Sequence, residues 1–358
     1  PANKNKYFKT AVNTLSDMNH RSLSGKYLFR FLGVLLIITG CSSDSSWIKN
    51  QGQIFGTTYH LTYKSPQGKD LHTKIRNALD SVNRSLSTYD SASVISKFNQ
   101  SPHGAIMDFH FQKVFETAQT ISENTHGAFE MTVTRLVNAW GFGFTKREKL
   151  SPQKTDSLKA LIGMEHVKMK GDSVVKSRPG IMLDASAIAK GHGSDVVAAL
   201  LDRAGCQHYM VEIGGEVVTK GQNPRQGDWR IGIDRPIDDP TGTKRELELI
   251  VELSGESLAT SGNYRQFYID EETGKKFSHT IDPDTGRPVE HSLLSASVVA
   301  PSCMIADAYA TAFMVMGYEK SLELIKKHPR LEGCFIYDTK DGMKVKWTKG
   351  FEKWVAAY

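Results

Sequence analysis

Asp307 and Thr311, a carboxylate and a hydroxyl four residues apart, lie in an otherwise apolar stretch with Ala308, Ala310, Ala312 and Phe313. On a helix that spacing places both side chains on one face, where burial without a partner is expensive. Oxygen ligands suit a hard cation, and Mg²⁺ commonly takes one or two protein oxygens beside water and phosphate. The alternative is an N-cap at Asp307, with the Thr311 hydroxyl bonded back to the preceding turn. Asp184 and Lys190 flank a turn of small residues in which Gly191, and Gly193 beyond it, would let backbone approach a ligand closely. Lys190 suits a phosphate or a ring carbonyl, and Asp184 a ring imide or a ribose; a surface ion pair is the plainer alternative. His279 precedes Ile-Asp-Pro-Asp-Thr-Gly, a turn by its proline and glycine content. A histidine held there can act as a general base near neutral pH or can be structural.

These groups need elements to position them. Residues 54–63 alternate and are rich in threonine and tyrosine, which predicts a strand. Leu71, Ile75, Leu79, Val82 and Leu86 recur at helical spacing, so 71–86 reads as an amphipathic helix. Further helices are expected over 111–123, 195–204 and 306–316, the last ending at Gly317, a C-terminal cap residue. Strands are expected over 211–213, 229–233, 247–253 and 297–300. Helices and strands mix without regular βαβ alternation, which favours an α+β fold over a doubly wound sheet.

The chain has 358 residues and a formal charge of +6. Lys4, Lys6, Lys9, Arg21, Lys26 and Arg30, against Asp17 alone, concentrate that charge in residues 1–40. The remaining 39 basic and 38 acidic side chains nearly cancel, so no nucleic-acid partner is expected. Lys26 and Arg30 precede a short apolar run, FLGVLLIIT, which is too short to span a bilayer and suits a signal peptide. The run ends in Ile38-Thr39-Gly40-Cys41, which resembles a bacterial lipobox. Residues 1–40 are therefore expected to be a signal peptide, with 1–17 an extension ahead of a start at Met18. Cys41 is expected to be lipidated, and 41–52 to be a polar tether. Cys206, Cys303 and Cys334 have no zinc spacing and read as buried thiols.

A P-loop, a complete dinucleotide glycine fingerprint and a G-x-S-x-G elbow are all absent. Four segments nevertheless stand out: 127–133 leading to Trp140-Gly141-Phe142-Gly143, then 183–191, then 259–264 with 278–286, then 306–311. With Gly56-Thr57-Thr58, Ser87-Thr88-Tyr89 and Gly214-Gly215, their order and content closely resemble the FAD:protein FMN transferases, the ApbE-type flavin transferases. The resemblance covers nearly all of 53–358, which would form the flavin transferase domain. It implies a two-part α+β fold with FAD in the cleft between the parts.

Carried over residue by residue, it implies Mg²⁺ ligation by Asp307, Thr311 and the Ala187 carbonyl. It also implies flavin-nucleotide contacts from Phe55, Tyr89, Ala128, Phe129, Glu130, Asp184, Lys190 and Ile281, and assistance to transfer from His279. Glu130 replaces the usual Asp, Phe55 the common Met, and Ala310 the second carboxylate some members carry. The implied reaction is Mg²⁺-dependent transfer of FMN from FAD to a threonine or serine of an acceptor, with release of AMP. An FAD pyrophosphatase and a non-catalytic flavin-binding lipoprotein are the competing readings. Implied acceptors are subunits of membrane redox complexes, such as a Na⁺-pumping NADH:quinone reductase. The lipid anchor would place the protein on the extracytoplasmic face of the inner membrane.

Overall fold

Alternating residues build two antiparallel strands, β1 (Ser46–Ile54) and β2 (Thr57–Ser65), joined by a turn at Phe55 and Gly56. The computed structural model describes residues 45–237, 246–264, 266–271 and 273–356; the leader and Cys41 lie outside the described residues. Next come α1 (His72–Leu86), α2 (Val94–Gln100), β3 (Gly104–Ile106), α3 (Phe109–Asn124), α4 (Thr134–Ala139) and α5 (Pro152–Lys159). The middle of the chain holds β4 (Val167–Lys170), β5 (Ser173–Lys176), α6 (Ala189–Arg203), β6 (Tyr209–Ile213) and β7 (Glu216–Lys220). Then follow β8 (Trp229–Asp234), β9 (Leu247–Leu253), β10 (Ser257–Gly262), β11 (Phe267–Ile269), β12 (Lys276–Ser278), β13 (Ile281–Asp282) and β14 (Arg287–Pro288). The last elements are β15 (Leu293–Ala300), α7 (Cys303–Met316), α8 (Tyr318–Lys327), β16 (Glu332–Tyr337) and β17 (Lys344–Trp347).

Eight strands form the central sheet in the order β1-β2-β6-β7-β10-β15-β16-β17. Its pairings are antiparallel throughout, so the fold is α+β as expected. Successive residues face opposite cores, as the pleat requires. Val298 and Phe335 join Phe313 of α7, whereas Val299 and Ile336 join Trp229, Ile231 and Leu249 of the β8–β9 hairpin. A third cluster packs Leu79 of α1 and Leu201 of α6 against Tyr59, Leu61 and Val211. Ser45–Tyr358 forms one compact unit, so the parts expected on either side of a cleft share one scaffold.

Two expectations change. The first strand begins at Ser46, within the stretch expected to be tether, and the strand expected over 54–63 is broken by a hairpin turn. Phe55 and Gly56 both lie in the left-handed region, with φ of 51° and 73°. A two-residue turn that follows strand twist requires such a pair; Gly56 adopts it freely, while Phe55 carries strain. The second change is at α6, which starts at Ala189 rather than Asp195. Gly191, Gly193 and Ser194 are poor helix formers, yet all three are buried, and packing decides the conformation.

Asp195 thereby lies inside α6 and caps a different helix. Its carboxylate accepts from Ser302 Oγ (2.6 Å), Cys303 N (2.9 Å) and Met304 N (2.9 Å), satisfying the first amides of α7. Asp195→Ala should therefore cost about 2 kcal/mol of stability, combining a lost cap with stranded buried donors. Chemical denaturation reads this; a change within experimental error would show that the bridge contributes nothing.

Candidate active site

The site begins where α6 meets α7. Gly191 has no Cβ, and one placed there would collide with the Cys303 carbonyl and the Asp307 side chain. The gap it leaves lets the Gly191 amide donate to Asp307 Oδ2 at 3.0 Å. Gly191 is the third residue of α6, and the first amides of a helix find no acceptor within it, so Asp307 satisfies a donor that the helix leaves open. Asp307 is only 2% exposed and stands inside α7, which begins at Cys303, so the N-cap alternative falls. One turn later, Thr311 Oγ1 faces Ser261 Oγ of β10 at 3.1 Å instead of its own helix backbone. Asp307, Thr311 and the Ala187 carbonyl expected beside them would offer oxygen donors only, which fits Mg²⁺ chemistry. Among the described residues no three His, Cys, Asp or Glu side chains cluster as a metal site, and this set needs only one carboxylate.

Lys190 lies in the first turn of α6 and pairs with Glu216 Oε1 at 2.9 Å and Asp307 Oδ1 at 3.6 Å. Burial would lower its pKa, but Asp307 and Glu216 outweigh burial and hold the ammonium charged above its ordinary value. Burial pushes the Glu216 carboxyl up to about 8, against the pull of Lys190 and with the push of Asp307. The alternative reading, a surface pair of Lys190 with Asp184, does not form. Asp184 Oδ1 instead accepts from Ser186 N at 2.7 Å, folding the 184–186 turn onto itself. Glu216 escaped sequence reasoning because nothing local marks it; the Gly214-Gly215 turn just before it was the available signal.

His279 lies within electrostatic reach of this centre. Its pKa is lowered chiefly by burial, with Lys190 adding to the effect and a hydrogen bond to Gln266 opposing it. Since a carbonyl can only accept, Nδ1 donates to Gln266 O (3.3 Å), and Nε2 keeps its lone pair. Phe142 meets the imidazole edge-on at 6.5 Å and stacks on Tyr268. Tyr89, 85% exposed, packs edge-on against Phe144 two residues further along that loop.

The remaining expected contacts are distributed differently. The Phe55 ring, on its hairpin turn, lies over the Gly193 backbone. Phe129 and Ile281 are buried in separate apolar clusters. Glu130 Oε1 accepts from Thr132 N and Thr132 Oγ1, and Oε2 from Met164 N, so its carboxylate is fully occupied inside the fold. Half-buried Ala128 adjoins a 740 Å³ cavity lined by Gly127, Glu130, Lys159 and Gly163, with Pro283 and Asp284 opposite. That cavity joins the 127–130 segment to the turn after Ile281, but Lys190, Asp307 and His279 are not in its lining. Cys206, Cys303 and Cys334 are free buried thiols.

An acidic, oxygen-lined centre beside a charged lysine and a neutral histidine equips an α+β enzyme for phosphoryl transfer. The sequence model of the ApbE family matches residues 55–335, and the chain belongs to that family. An FAD:protein FMN transferase of Vibrio cholerae is 37% identical over 321 residues, covering 87% of this chain and 94% of that relative. Its Haemophilus influenzae counterpart is 34% identical over 336 residues, or 90% and 95% of the two chains. The solved flavin transferase ApbE from Vibrio cholerae superposes with a TM-score of 0.77 at 36% identity, covering 87% of this chain and 99% of that one. The apo Pseudomonas stutzeri flavinyl transferase ApbE gives 0.77 at 32% identity, covering 88% and 98%.

The α6–α7 contact makes a direct test possible. Gly191→Ala should destabilise the protein by about 1–3 kcal/mol, the usual cost of overpacking a tight interior. Thermal unfolding reads the effect; a wild-type value would refute the close-contact account.

Proposed function

We propose that this chain is an FAD:protein FMN transferase, which moves FMN from FAD onto a threonine or serine hydroxyl of another protein and releases AMP. The observation that supports this reading is the buried Asp307 carboxylate at the contact of α6 and α7, held by the Gly191 amide and faced by Lys190. Asp307, Thr311 and the Ala187 carbonyl would hold Mg²⁺, which when bound neutralises charge developing on the pyrophosphate. Lys190 keeps its positive charge and can meet a phosphate or a flavin carbonyl beside them. Asp184 and the 128–130 backbone would contact the flavin nucleotide, with Tyr89 and Phe55 supplying aromatic surface. The polar 740 Å³ cavity offers room for one end of the dinucleotide.

In the reaction, the acceptor hydroxyl oxygen bonds to the FMN phosphorus as the bond to the AMP oxygen breaks. The hydroxyl proton passes to His279 Nε2, the nitrogen left free by the Gln266 hydrogen bond. The acceptors in this reading are flavin-bearing subunits of membrane redox complexes, such as a Na⁺-pumping NADH:quinone reductase. Lipidation at Cys41 would hold enzyme and acceptor on the same extracytoplasmic membrane surface. Mass spectrometry of membrane-extracted protein tests the anchor: an unmodified peptide crossing residues 40 and 41 in most molecules would remove it.

Purified protein incubated with FAD, Mg²⁺ and a candidate acceptor should yield a fluorescent acceptor after denaturation, with one AMP per attached flavin. Asp307→Ala should abolish transfer while retaining part of the FAD binding, and His279→Ala should slow transfer by ~10²–10⁴-fold. AMP formed with an equal amount of free FMN, and no labelled acceptor, would replace this reading with an FAD pyrophosphatase. The pH profile follows from the lowered His279 pKa. The base is active when neutral, so activity should persist below the ordinary histidine range and fall only as pH drops through the lowered value. An acid limb at or above the ordinary range, or one unchanged in His279→Ala, would remove His279 from the proton transfer.

A further inference from the structure

Three charged side chains meet in one buried place: Lys190, Glu216 and Asp307. Lys190 Nζ touches Glu216 Oε1 at 2.9 Å but stands 3.6 Å from Asp307 Oδ1. The tighter contact is with the residue that no expectation from the sequence included. Several features fix that geometry. Gly214 and Gly215, at φ of 62° and 103°, turn the chain sharply into β7, so that Glu216 is its first residue. The Ser194 hydroxyl of α6 donates to the Glu216 carbonyl at 3.1 Å, tying the start of β7 to the helix that carries Lys190. A Cβ on Gly214 would lie 3.3 Å from Lys190 Cδ, so the glycine also opens the slot in which the lysine stem runs. Glu216 Oε2 is buried without a hydrogen-bond partner, while Oε1 takes the Lys190 ammonium.

An ammonium in full contact with Asp307 would occupy the carboxylate oxygen that a cation needs. Attraction between unit charges grows as they approach, so without a competitor Lys190 would settle onto Asp307. We infer that Glu216 is a positioning residue that draws the Lys190 ammonium off Asp307 and so keeps Asp307 open to the divalent cation. The inference rests on the proposed Mg²⁺ reading of Asp307. It assigns Glu216 no contact with substrate; Glu216 acts through the lysine.

The test is Mg²⁺ binding to the purified full chain without FAD, by calorimetry at mildly alkaline pH, beside thermal unfolding of each variant. Glu216→Gln keeps size and an acceptor oxygen but gives up the charge. It should weaken Mg²⁺ binding by about tenfold or more, the scale on which one nearby charge shifts a neighbour's equilibrium. Adding Lys190→Met should restore binding in the double variant, because no ammonium remains to cover Asp307. Lys190→Met alone should bind Mg²⁺ at least as tightly as wild type. This arm stands even if Glu216→Gln folds poorly. Unchanged binding in Glu216→Gln, no recovery in the double variant, or weaker binding in Lys190→Met would each overturn the inference. Wild-type protein that binds no Mg²⁺ would overturn the metal reading itself and this inference with it.

Discussion

One hydrogen bond organises the centre of this protein: the Gly191 amide to Asp307 Oδ2, 3.0 Å across the contact of α6 and α7. It satisfies one oxygen of a carboxylate buried in an apolar helix, which would otherwise be costly to desolvate. It gives a partner to one of the amides that the start of a helix leaves open. It also fixes the first turn of α6, and with it Lys190. The bond can form only because residue 191 lacks a Cβ, and because the start of α7 is held by Asp195 from that same α6. The two helices thus clasp each other twice, once to end a helix and once to prepare a site.

The electrostatics of two inward-pointing lysines separate structural from functional burial. Lys176 donates to the Phe98 and Ile181 carbonyls at 2.8 and 2.7 Å and lies over the Phe98 ring. Its neighbours carry no compensating negative charge, and burial lowers its pKa to about 8. Lys190 experiences burial in the same direction, yet Asp307 and Glu216 reverse it. Two carboxylates around one ammonium leave an excess of acid in a dry place, an arrangement that well-packed apolar residues would often equal or better for stability alone.

Much of the scaffold was legible because burial and period agree. The helix expected over 71–86 forms as α1, the strand over 247–253 as β9, and Gly317 ends α7 at φ 77°. The failures share a cause: tertiary contact overriding local preference. Gly191, Gly193 and Ser194 discourage a helix in isolation, but α6 runs through them because their small size admits α7 and Phe55. Asp195 looked like a helix start because no local pattern reveals that its oxygens serve Ser302, Cys303 and Met304. At the site, the spacing of Asp307 and Thr311 left a metal pair and a helix cap both open, and the family resemblance chose between them. Glu216 was not visible, since a carboxylate at the head of a strand is unremarkable until the fold brings Lys190 to it.

The positions that depart from the family pattern are tolerable for a related reason. Glu130, where the resemblance would place Asp, spends its oxygens on Thr132 and Met164, so the side chain serves as an internal brace at the edge of the cavity. Phe129 and Ile281 likewise direct their side chains into apolar clusters while their segments border the cavity. Asp307 and Lys190 differ, because their side-chain atoms themselves meet at the contact of α6 and α7. Substitution should therefore be tolerated along the cavity wall wherever the backbone path is kept, and resisted at the α6–α7 contact.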